Sequence, residues 1–143
     1  MRLGFRRLLS HIGRRGAFLL FLAEVDLIYA LGMLFPTSLS LSYPTTRFLM
    51  QVSPLWVWGL LWLVVGIICL IFAFREKDAI AYAAAMFLKV LWGLTFLLGW
   101  IFTGVERGYQ SSAVWLTFAA ICLLIATWPE PEQNGAQSWP RPS

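Results

Sequence analysis

Three ionisable side chains lie where the sequence is otherwise hydrocarbon. "FLAEVDLIYALGM", residues 21–33, carries Glu24 and Asp26 two positions apart, and "AMFLKVLWG", residues 85–93, carries Lys89. A carboxylate in such surroundings can exchange a proton, hold a cation or pair with an ammonium group. Each charge alone costs roughly 2.5–3.5 kcal/mol at the centre of a membrane helix, so pairing comes first. One ammonium cannot serve both acids equally. Residues two apart on a helix are about 200° apart around its axis, so Glu24 and Asp26 face nearly opposite ways. Glu24 shares its face with Leu20, Ile28 and Leu31, and Asp26 shares its own with Ala23, Tyr29, Ala30 and Met33. Tyr29 is a candidate hydroxyl partner for Asp26. The acid that Lys89 leaves over must be protonated, line water or face another subunit.

These groups need elements to position them, and composition says which. The chain has 143 residues, 59% hydrophobic and 13% charged, with a mean hydropathy of +0.73. A soluble domain of this length needs far more polar surface, so the class is an integral membrane protein. Four apolar segments approach the roughly twenty residues that cross a bilayer, at about 16–34, 54–74, 79–102 and 111–128. The expected fold is all-α, with four transmembrane helices in an antiparallel bundle. "REKD" joins the second and third spans in a tight hairpin, and residues 35–53, bounded by Pro36 and Pro54, read as an ordered interfacial loop with a short amphipathic helix near 46–52.

With both spans starting from one side, Glu24 and Asp26 lie roughly 12 and 15 Å deep in the first, and Lys89 roughly 15 Å deep in the third. The three charges share one level. The small residues Gly59 and Gly66 lie on one face of the second span, and Gly93 and Gly99 thin the third, as helix-packing positions. Lys89, Trp92, Phe96 and Trp100 form a stripe that offers the ammonium cation–π contact.

The net charge of +4 does not point to nucleic acid, since no reading motif is present. Residues 1–15 form a basic segment with Arg2, Arg6, Arg7, Arg14 and Arg15, which reads as a topology signal. With the N-terminus inside, eight cations fall on the inner side and only Arg47 and Arg107 on the outer, placing both termini in the cytoplasm. The two acids make a poor signal-peptide core, so the first span is expected to be retained. Trp56, Trp58, Trp100, Trp115 and Trp128 are the expected interfacial anchors. The Pro-rich stretch 129–143 is a cytoplasmic tail.

Catalytic signals are sparse. His11 stands alone in the basic segment, and Cys69 and Cys122 lie in separate spans without a CxxC spacing. There is no zinc pattern, phosphate loop or nucleophile elbow. No catalytic residue, metal or cofactor is expected, and the chain does not read as an enzyme. The partners expected are the lipid bilayer and either further copies of the chain or a larger membrane complex.

"PLWVWGLLWLVVGIICLIFAF", "DAIAYAAAMFLKVLWGLTFLLGWI" and "SAVWLTFAAICLLIATWPEP" together resemble small four-span membrane proteins of actinobacterial phages and prophages. Those proteins also start Arg-rich, carry Trp and Gly in the second span and end in a W-P-x-P-like motif. Some are regarded as holin-like, which implies self-association and permeabilisation of the bacterial inner membrane. "LAEV" at Leu22–Val25 and "IAYA" at Ile80–Ala83 are similar to segments of small multidrug-resistance transporters. That resemblance implies proton-coupled export through Glu24 alone.

Overall fold

A computed structural model describes residues 13–75 and 77–129. The basic residues up to 12, with His11, and the tail from 130 lie outside the described residues. Among those described, six helices follow one another: α1 Arg14–Leu34, α2 Ser38–Ser42, α3 Pro44–Val52, α4 Leu55–Phe72, α5 Ala79–Thr103 and α6 Gly108–Ala126. The all-α, four-span architecture is what the sequence leads one to expect. The helices α1, α4, α5 and α6 are long and apolar enough to cross a membrane, and the chain is a multi-pass membrane protein. At ~1.5 Å per residue each covers the ~30 Å hydrocarbon layer or comes close to it.

Local chemistry sets the ends. Pro36 disfavours helical geometry at Phe35, and α1 closes there with the Phe35 N–H on the Leu31 carbonyl at 2.9 Å. The segment expected as a loop with one short helix holds two. The Thr37 side chain accepts from the Ser40 N–H to start α2, and Pro44 opens α3 at a position where its missing N–H costs nothing. Gly104, at φ +66°, takes the left-handed conformation that ends α5.

Around the bundle, α1 packs most extensively on α4 and α5 on α6, while α4 and α5, despite the short "REKD" connection, share a thinner interface. Glycines make the tight contacts. A Cβ at Gly59 would stand 2.8 Å from Leu34 of α1, one at Gly66 3.1 Å from Leu27, and one at Gly93 2.9 Å from Leu116 of α6. Gly99 admits Phe48 of α3, so the interfacial helix is keyed into the bundle. Gly108 is the least forgiving position, because an added Cβ would stand 2.8 Å from the main-chain carbonyl oxygen of Phe96. We therefore expect Gly108→Ala to lower thermal stability in detergent by about 1–3 kcal/mol. Gly93→Ala should cost less, since the Leu116 side chain can move; equal losses would show that the start of α6 yields as readily as that side chain.

Large apolar side chains point outward from every span, among them Ile28, Val64, Phe87 and Leu124. In water these would be liabilities, and in a bilayer they are the solvated surface. Of the five expected anchors, Trp56, Trp100 and Trp128 are exposed at helix ends, as interfacial residues should be. Trp58 and Trp115 are not anchors: they are 6% and 8% exposed and belong to the core. The Trp58 indole N–H donates to the Leu49 carbonyl at 3.3 Å, so it has no need of interfacial water. Because α6 begins at Gly108, Trp115 lies about 10 Å down the helix from its start.

Candidate functional site

Between the two apolar clusters of the core lies one ion pair. Lys89 Nζ donates to Asp26 Oδ1, and both side chains are fully buried. The ammonium lies 4.5 Å from the centre of the Trp62 ring and 5.9 Å from that of Trp115. Those indoles meet edge to face at 5.2 Å and close the site from α4 and α6. Four helices thus contribute: the acid from α1, the base from α5, and one wall each from α4 and α6. The cation–π partners are these two tryptophans and not the Trp92–Phe96 stripe of α5 itself, which instead packs Trp92 onto Trp58 and Trp62.

Two sequence expectations need correction. Glu24 does not join the cluster. It is exposed on the outer face of α1 with Ile28 and Leu31, because the 200° between the acids allows only one of them to face the axis. Tyr29 is not the hydroxyl partner of Asp26. Its ring stacks on Trp62 at 4.7 Å, and Asp26 Oδ2 is buried without a hydrogen-bond partner. The Trp62 indole N–H is likewise buried and unpartnered.

A second pair tightens the same two helices one end along. Arg15 Nη2 bonds Asp78 Oδ1 at 2.6 Å, the Tyr82 hydroxyl donates to the Arg15 carbonyl at 2.9 Å, and the guanidinium lies over the Tyr82 ring. Both ion pairs join residues 63 apart, so α1 and α5 run parallel and in register. On each helix eleven residues, three turns, separate the two charged positions and return them to one face.

That register exposes an internal repeat. "WLVVGIICLIFA" at 62–73 and "WLTFAAICLLIA" at 115–126 share Trp, Leu, Ile, Cys, Leu and Ala in the same places. Burial follows it: Gly59, Trp62, Gly66 and Cys69 of α4 match Ser112, Trp115, Ala119 and Cys122 of α6. Leu19, Leu22, Asp26 and Ala30 of α1 match Tyr82, Ala85, Lys89 and Gly93 of α5. Ring geometry follows it too. Tyr29 meets Trp115 at 5.1 Å and 88°, and the equivalent Trp92 meets Trp62 at 5.3 Å and 89°. The molecule is two similar helical hairpins, α1–α4 and α5–α6, with α2 and α3 inserted in the first. Each ion pair joins equivalent positions of the two, with opposite charges.

The site is closed. Asp26 and Lys89 are both 0% exposed, and neither lines the grooves of about 380 Å³ beside α3 and about 200 Å³ near Arg15. Among the described residues no three His, Cys, Asp or Glu side chains converge as metal ligands would. The arrangement can hold two hairpins in register, and it leaves the Glu24 carboxyl on the outer surface of α1 near that depth. No protein family, curated protein or solved structure matches this chain.

Proposed function

We propose that this is a holin-like phage or prophage protein of the bacterial inner membrane, with both termini cytoplasmic, which self-associates and permeabilises the membrane. The observation that carries the reading is Glu24. A carboxyl group held against lipid at mid-depth carries a standing cost of roughly 2.5–3.5 kcal/mol that assembly relieves. Insertion is thereby coupled to clustering. The cation distribution supports the orientation, and the whole-chain resemblance to small four-span phage proteins supports the class. The transporter reading has less support, because export through Glu24 needs that carboxyl to line a chamber and within one chain it faces outward.

Controlled expression in a bacterial host, alone and with an endolysin, tests the proposal. We expect loss of membrane potential and release of the endolysin at high membrane levels. A protein that accumulates, leaves the potential intact and retains the endolysin is an accessory membrane subunit instead.

A further inference from the structure

Among the described residues, the outward face of α1 has one feature that the rest of the lipid-facing surface lacks. Ala17, Phe21, Glu24, Ile28, Leu31 and Phe35 are all exposed and follow one another at alternating spacings of four and three. Alternation of this kind is the heptad spacing of a supercoiled helix seam, and any outward stripe approximates it over a few turns. The repeat supplies the comparison. On α5 the equivalent positions, Ile80, Ala84, Phe87, Leu91, Leu94 and Leu98, are wholly apolar; Ala84 and Leu91 are half-buried and the other four exposed, with Phe87 at the position equivalent to Glu24. Lipid satisfies the α5 stripe completely. It cannot satisfy a carboxyl group, which keeps both its donor and its acceptor capacity at a depth without water.

What meets that carboxyl must itself be polar and lie at the same depth. Lys89 is taken by Asp26 and enclosed by tryptophan. The exposed hydroxyl of Thr117 is spent on its own helix, donating to the Ala113 carbonyl at 2.8 Å. A second copy inserted in the same orientation presents an identical carboxyl at an identical depth. Two such chains related by a two-fold axis along the membrane normal bring α1 against α1 in parallel, and residue 24 then meets its own counterpart.

We propose that the α1 stripe is the interface of a parallel, two-fold homodimer, centred on a hydrogen bond between the two Glu24 carboxyl groups. Each carboxyl group then meets a polar partner at a depth where lipid and water supply none. A polar residue at the centre of an otherwise apolar seam also fixes register, because any slip separates the pair. This rests on the reading that the chain self-associates, and not on membrane permeabilisation.

The test uses the full chain in native membranes with the buried thiols replaced, Cys69→Ala and Cys122→Ala, and single cysteines returned for oxidative cross-linking. Phe21→Cys and Ile28→Cys should give covalent dimers, while Phe87→Cys and Leu94→Cys on the equivalent stripe should not. Glu24→Gln, whose amide both donates and accepts, should keep the dimer. Glu24→Leu should lower the cross-linked fraction about tenfold, the scale of one interhelical hydrogen bond. The exposed position makes both variants safe for folding, which membrane accumulation checks directly. Equal cross-linking from α5, or a fraction indifferent to Glu24→Leu, overturns the interface. Cross-linking without depolarisation keeps the dimer and rejects the holin-like reading, and depolarisation without α1 cross-links does the reverse.

Discussion

Lys89→Met should damage this protein more than almost any other single exchange. Methionine fills a similar volume and contacts the Trp62 and Trp115 rings well, so the loss is electrostatic and not a cavity. Asp26 would remain fully buried, with Oδ2 already unpartnered and Oδ1 stripped of its only donor. Removing one member of a buried pair costs about 3–5 kcal/mol, because the other is left as an uncompensated charge. The double variant Lys89→Met with Asp26→Asn removes both charges at nearly constant volume and should recover most of that loss. Membrane accumulation and unfolding in mixed micelles measure the cycle. Simple additivity of the two single losses would show that the pair is not coupled in the way its geometry requires.

The sequence makes the spans legible and leaves their rotation ambiguous, for one physical reason. In water an apolar stripe identifies the buried face of a helix, but in lipid both the inner and the outer faces are apolar. Hydropathy therefore locates α1, α4, α5 and α6 to within a few residues and cannot decide whether Glu24 or Asp26 turns inward. The deciding information is long-range: Arg15 and Asp78 fix the register of α1 on α5, and that register brings Asp26 opposite Lys89. Equal charge spacing in the first and third spans is a readable signal, but its inverted signs conceal it. The repeat is hidden further by α2 and α3, which lengthen one hairpin only. Trp58 and Trp115 mislead for a related reason. Tryptophan near a helix end is favoured both at the interface and in a core that can use its ring, and the Lys89 ammonium gives Trp115 and Trp62 such a use.

The repeat also leads to an expectation about exchanging the charges. If two identical hairpins were arranged about a two-fold axis, residue 26 would meet its own kind, and a like-charge pair would result. Opposite charges there require two unlike copies in one chain, and either copy can in principle carry either sign. Asp26→Lys alone should be severe, because two ammonium groups would share one buried level and neither has an anion. Lys89→Asp alone should be milder, since two carboxyls can hold a proton between them. The exchange Asp26→Lys with Lys89→Asp restores a pair of the same composition, now with its cation on α1. Trp115 then offers that cation the wall that Trp62 offers Lys89, because Tyr29 meets Trp115 at the same angle as Trp92 meets Trp62. Arg15 and Asp78 already join these helices with that polarity, so the fold tolerates both senses. We expect the exchanged protein to accumulate within about threefold of the original, where Asp26→Lys falls by tenfold or more, a gap of about 1.4 kcal/mol per factor of ten. Should the exchange be as damaging as Asp26→Lys, the two walls are not equivalent, and the polarity of the central pair is imposed by the differences between the hairpins and not by their likeness.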